Sequence, residues 1–269
     1  MQKDILSHII PKSFTKKWEI RKGKLRYYCF KDEQIKEEDS LKLFAKEGLF
    51  TQEEEKFLNK YFEAPISGYM DTITTKGDVL IKKTKVYRAF VLMIFQMIAR
   101  LNISLNGRSD QNIFSMSELD LNNMISAINK NYQIIRLVIN PTTPLFYPSS
   151  GLILFFNFDS PELITRSFIP ICLPITPNQL ICMVDKKYDL KLFEDRCKDN
   201  TFQRLSISTT KGANKVLIPP SLKDSDENEI INFIKKARIN NDLELKLHKE
   251  INTLVRDMCD AISAKIPEI

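Results

Sequence analysis

The chain predicts an α+β fold in which a mixed β-sheet, drawn from an N-terminal strand and the central-to-C-terminal half, packs with a buried central helix and C-terminal helices. Three observations carry this expectation. Residues 87–100, YRAFVLMIFQMIAR, are the longest apolar run, and a helix apolar around its whole circumference belongs in a core. Residues 133–139, 152–158, 169–175 and 180–184 are short runs rich in Ile, Leu and Phe, separated by Pro, Gly and Asn, as strands of a well-covered sheet are. Beyond Pro219-Pro220 the apolar spacing is helical.

At 269 residues and 43 % hydrophobic, the chain is long enough for one large core. No internal repeat or low-complexity linker divides it, so the expectation is a single domain over 1–269, with 225–269 a C-terminal helical extension. The net charge of +6 comes from 40 basic and 34 acidic residues. That mixed surface permits a nucleic acid or nucleotide partner without singling one out. Cys29, Cys172, Cys182, Cys197 and Cys259 are odd in number and lack any Cys-x-x-Cys pair, which suits a reduced intracellular chain without structural zinc. The opening MQKDILSHIIPKSF has no apolar core of secretory-signal length. The long apolar run is unbroken only over 89–95 and resumes for three residues after Gln96, short of the roughly 20 residues a span needs. A cytoplasmic protein without a membrane partner is expected.

Taken in order, His8-Ile9-Ile10-Pro11 leads into Phe14 and Trp18 at intervals of four, which suits a short helical turn after proline. Lys22-Gly23 separates residues 18–21 from the strand formers of residues 24–30, reading as a hairpin or a helix-to-strand turn. The next ten residues, KDEQIKEEDS, read as a solvated loop. Thr51 with Glu54 makes a capping box for a helix whose stripe is Phe57, Leu58, Tyr61, Phe62, Ile66, Tyr69 and Met70. Pro65 is expected to kink or split that helix near Glu63. Residues 74–78 read as a turn before the central helix, and Asn106-Gly107 as its stop.

Ser117 with Asp120 opens a further helix, Leu121, Met124, Ile125 and Ile128 facing inward, that ends near Asn131. Pro161, Pro170, Pro174 and Pro177 place parts of the following strands at an edge or break them. Residues 202–208 and 215–218 read as shorter strands around Lys211-Gly212. Asp224 with Glu227 caps a helix through Arg238. A last helix over 242–264 turns Leu247, Ile251, Leu254, Val255, Met258 and Ile262 inward, and these C-terminal helices are where a protein partner would dock.

His8-x-x-Pro11-x-x-Phe14-x-x-x-Trp18, followed by Gly23-Lys24-Leu25-Arg26-Tyr27-Tyr28, resembles the opening of the domain of unknown function 4238 family, which is uncharacterised and mainly bacterial. Trp18 stands where Phe is usual there. Glu63, Gln96 with Arg100, Asp159 to Pro161, Leu173-Pro174-Ile175-Thr176, and Asn232 with Ala237-Arg238 follow in a similar order, so the resemblance spans most of residues 8 to 238. That family carries no established activity, so the resemblance implies a grouping and not a reaction.

The chemistry rests on few residues. Gln96 and Arg100, four apart, share a helix face, and burying an amide and a guanidinium demands partners. Glu63 or Asp159 is the natural carboxylate for Arg100. Glu63 falls opposite the apolar stripe by plain helical counting, which favours exposure. Asp159 ends a strand, where it is either a turn starter or a group delivered to solvent. His8 is one of two histidines and either bonds the backbone near Pro11 or serves as acid or base. His248, in ELKLHKE, reads as solvated.

Two functions follow. One is a nuclease or other phosphodiester or nucleotide hydrolase with His8, Glu63, Arg100 and Asp159 as its catalytic set, Gln96 binding ligand, and the acids holding Mg²⁺ or activating water. The other is a non-catalytic binding or accessory protein in which the Arg100–acid pair is structural. No glycine-rich phosphate cradle, Gly-x-Ser-x-Gly elbow or His-Glu-x-x-His occurs.

Overall fold

The computed structural model describes residues 6–8, 10–76, 84–106, 116–154, 170–186, 190–208 and 215–237. It has the expected α+β character. Strand β1 (Leu6–His8) leads to α1 (Lys12–Thr15) and a 3-10 turn ending at Trp18, after which β2 (Glu19–Arg21), β3 (Lys24–Cys29), β4 (Gln34–Asp39) and β5 (Ala45–Glu47) follow. Helix α2 (Gln52–Leu58) runs through a π turn (Asn59–Glu63) into α3 (Ala64–Lys76). The central helix α4 (Thr84–Asn106) and α5 (Glu118–Asn131) precede β6 (Tyr132–Val138), β7 (Tyr147–Pro148), β8 (Ile153–Leu154), β9 (Ile171–Thr176) and β10 (Gln179–Asp185). Then come α6 (Leu190–Arg196), α7 (Thr201–Ser208), β11 (Lys215–Leu217) and α8 (Glu227–Ala237).

The described strands form three sheets, and every described pairing is antiparallel, in place of the mixed sheet expected. Tight turns such as Pro177-Asn178 return one strand beside the last, which forces the antiparallel sense. One sheet has the order β6-β10-β9-β8, a second the order β2-β3-β11-β7 with β4 also on β3, and β1 pairs β5 alone. Pro174 sits inside β9, but β8 pairs only with Ile171 and Cys172, so the proline lies beyond that ladder's end.

Both capping boxes form: Thr51 Oγ1 accepts from the Glu54 amide while Glu54 accepts from the Thr51 amide, and Ser117 and Asp120 do the same. In α4, Ala89 through Met97 are all buried, and the helix packs against α3, α5, β6 and the π turn. The main core gathers around it, including Trp18, Leu58, Phe62, Leu121 and the β9 and β10 side chains. Trp18 Nε1 donates to the Leu145 carbonyl at 3.3 Å.

Several expectations are corrected. The charged run is not a solvated loop: residues 34–39 pair β3 throughout, with Lys24 opposite Asp39 and Arg26 opposite Glu37. Glu37 forms its ion pair with Arg21 of β2 and Arg26 forms its own with Glu227, each at 2.7 Å, and charges suit an edge strand. Residues 201–208 are helical, the Arg204 amide donating to the Asn200 carbonyl at 2.9 Å. Residues 74–76 belong to α3. The cap before α8 is Asp226, whose Oδ1 accepts from the Asn228 amide at 2.7 Å, and not Asp224. The apolar face of α8, Ile230, Ile234 and Ala237, is buried in a second cluster with Tyr28, Phe146 and Val216, so it is not free for a partner. The expected helix over 242–264, and with it His248, lies outside the described residues. Among the described residues no helix is long and apolar enough to cross a membrane.

Candidate functional site

Glu63 owes its position to the π turn. Eight residues separate Glu55 from Glu63, which in a plain α-helix overshoots two turns by about 80°. The wide turn over Asn59–Glu63, closed by the Ala64 amide on the Asn59 carbonyl, takes up one extra residue. The remaining seven α-like steps leave the two acids within about 20° of one face. Pro65 has no N–H to give the Tyr61 carbonyl, so the α-ladder must break here, and the wider turn accommodates the break. Plain counting toward exposure fails for that reason: the Glu63 side chain is 25 % exposed and points at α4.

On α4, Gln96 and Arg100 both reach Glu63 as their spacing requires. Gln96 Nε2 donates to Glu63 Oε1 at 3.1 Å, and Arg100 Nη2 donates to the same oxygen at 2.5 Å. Arg100 Nη1 donates to the backbone carbonyl of His8 on β1, and the guanidinium lies 5.2 Å from the centre of the Phe50 ring. Phe50 is tied back to β1, for its amide donates to Ser7 Oγ at 3.2 Å. The Arg100–acid pair therefore joins the helices to the small β1–β5 sheet.

Glu55, on the turn of α2 facing the pair, was not singled out by the sequence. Burial pushes its carboxyl above the ordinary glutamate range and Glu63 adds to this, while Arg100, the Ser7 hydroxyl and His8 pull the other way. Burial also pulls the Arg100 guanidinium below its ordinary value, opposed by Glu63 and Glu55. His8 Nε2, Glu55 Oε1, Gln96 Oε1 and Arg100 Nε are buried and have no hydrogen-bond partner among the described residues.

Of the sequence candidates, His8, Glu63, Gln96 and Arg100 come together, whereas Asp159 lies outside the described residues. For Arg100, both Nη atoms are engaged and the side chain is 1 % exposed, so it fixes Glu63 and His8, as the ion-pair alternative for it expects. Gln96 Oε1 has no partner among the described residues. The Mg²⁺ expectation gains no ligand set, since among the described residues no three His, Cys, Asp or Glu side chains are grouped to hold a metal. Sequence reasoning missed Glu55 and Ser7. The eight-residue spacing of Glu55 and Glu63 ahead of Pro65 was the available signal. No protein-family model, curated protein or solved structure matches the chain.

Proposed function

We propose that the protein is a hydrolase of phosphodiester or nucleotide substrates, with its site where β1, the π turn and α4 meet. The observation that carries this reading is the group of unpartnered buried polar atoms around the Arg100–Glu63 pair. A cluster with a purely structural task would satisfy them, because each such group costs about 1–3 kcal/mol when unpaired. Arg100 and Gln96 are positioning residues that hold Glu63. His8 Nε2 takes the proton of the attacking water, and Gln96 Oε1 accepts from that water or from a substrate hydroxyl. The balance of 40 basic against 34 acidic residues permits an anionic substrate. Asp159 stays in the proposal as a fourth group, and no step is routed through a metal. His8 also opens the motif by which the chain resembles the domain of unknown function 4238 family, and that grouping is part of the proposal.

Because Arg100 uses the carbonyl of His8 and not its ring, His8→Ala removes the imidazole while leaving the clamp. Turnover of bis-p-nitrophenyl phosphate and of single- and double-stranded DNA and RNA is the assay. The variant is expected to lose about 10²–10⁴-fold in turnover with an unchanged melting curve. Retained turnover sinks the reading.

A second reading is favoured by one observation, the engagement of both Nη atoms of a buried Arg100. In it the pair is a clamp in a non-catalytic binding or accessory protein, and no phosphodiester is turned over by any variant or by the parent.

A further inference from the structure

The geometry points to Glu55 as the residue that carries the exchangeable proton of this site, beside Glu63, the carboxylate that Arg100 and Gln96 hold. The use made of the proton rests on the hydrolase reading; its location does not.

Two carboxyls that share a site do not ionise equally, and the one with better partners keeps its charge. Glu63 Oε1 receives both Arg100 Nη2 at 2.5 Å and Gln96 Nε2 at 3.1 Å. Glu55 is held by neutral Ser7 alone through a side-chain hydrogen bond, and its Oε1 is buried with no partner among the described residues. The groups facing Glu55 are Arg100 on α4, Glu63 on the π turn, and Ser7 and His8 on β1. Arg100 is the one arginine or lysine among them; its charge acts on Glu55 against the burial, but its carboxylate hydrogen bond goes to Glu63. A fully buried acceptor, Gln96 Oε1, is also without a partner here, so the junction offers a polar contact that nothing in the described chain fills. The π turn supports the assignment independently, because the rephasing that turns Glu63 toward Arg100 also sets Glu55 on the same face.

In hydrolysis, water bonds its oxygen to phosphorus as the P–O bond to the leaving alkoxide breaks. The alkoxide takes the proton of Glu55 and His8 takes the proton of water. Solvent then returns one proton to Glu55 and removes one from the imidazolium, so the balance closes.

The test is a pH titration of glutamate side-chain ¹³C resonances in the labelled full-length protein, with E55Q for assignment and turnover of bis-p-nitrophenyl phosphate in parallel. One carboxyl is expected to titrate above the ordinary glutamate range and to be missing in E55Q, whose turnover falls about 10²–10⁴-fold. A Glu55 resonance titrating in the ordinary range overturns the assignment. If E55Q does not fold, infrared difference spectra of the native protein decide instead: a protonated glutamate carbonyl stretch persisting at neutral pH supports the assignment, and its absence overturns it. A raised Glu55 titration in a protein that turns over no phosphodiester upholds the assignment and overturns the hydrolase reading. Turnover with an ordinary Glu55 titration does the reverse.

Discussion

Arg100 Nη2 lies 2.5 Å from Glu63 Oε1, yet the two side chains differ in surroundings, the arginine 1 % exposed and the glutamate 25 %. The cation is the desolvated partner. The burial of its charge depends on Glu63 being present, whereas Glu63 retains some water.

Replacing Glu63 alone is therefore costly. Glu63→Gln leaves a buried guanidinium without its anion, and the expected loss is about 3 kcal/mol, the lower end for a broken buried pair, because part of Glu63 is already hydrated. Urea unfolding measures it. The double variant Glu63→Leu with Arg100→Met, which removes both charges and keeps volume, is expected to lose less than the single one. Additive losses would show that the pair is not coupled.

The pH dependence of stability has a definite sign at Glu55. Its carboxyl is raised in the folded state by burial, which outweighs the opposing pull of Arg100 and Ser7, so above the unfolded glutamate range the folded chain holds more proton than the unfolded one. The contribution is fully present below that range and is lost as pH rises through the raised value. Glu55→Gln, which cannot ionise, is expected to flatten this part of the stability curve and to be relatively more stable than the parent at neutral pH. Denaturant midpoints at pH 4 and pH 7.5 measure the difference.

The helices were legible because their signals are local. The Thr51/Glu54 and Ser117/Asp120 boxes and the apolar spacing between them place α2 and α5, and the Gln96/Arg100 ridge already called for a carboxylate such as Glu63. What escaped depends on partners distant in sequence. Residues 34–39 read as solvated by charge alone, but β3 supplies Lys24 and Arg26 opposite Asp39 and Glu37. Residues 202–208, FQRLSIS, fit alternation nearly as well as a helical period, and the Arg204 amide's bond to the Asn200 carbonyl settles it as helix. Glu55 escaped because it meets Glu63 only across a π turn, which no 3.6-residue count anticipates.

Gly151 closes the loop before β8 at φ +74°, and a Cβ there would collide with Met97 Cε, next to Gln96 on α4. Gly151→Ala must meet both the left-handed backbone cost, about 1–2 kcal/mol, and the displacement of Met97. The methionine end is flexible, so Gly151→Ala with Met97→Ala is expected to show less than the sum of the two single losses. Thermal melting of the four proteins closes the cycle. Strict additivity would mean that the collision is relieved elsewhere.

Lys60, exposed in the π turn, tests how that turn serves both Pro65 and Glu63. Deleting it restores an α count, in which Glu55 and Glu63 still share a face but the Pro65 ring returns against the Tyr61 carbonyl. The deletion is thus expected to cost about 3 kcal/mol. Pro65→Ala in the deletion background is expected to recover most of this, while in the parent, where the wide turn already absorbs the break, it gains little. Inserting an alanine after Lys60 instead rotates Glu63 by about 100°, off Arg100, and is expected to cost as much as Glu63→Gln with no rescue by Pro65→Ala. Urea unfolding distinguishes the two: an insertion rescued at Pro65 would mean that the turn answers to the proline alone, and a deletion that also separates Glu63 from Arg100 would mean that the rephasing does not align the acids.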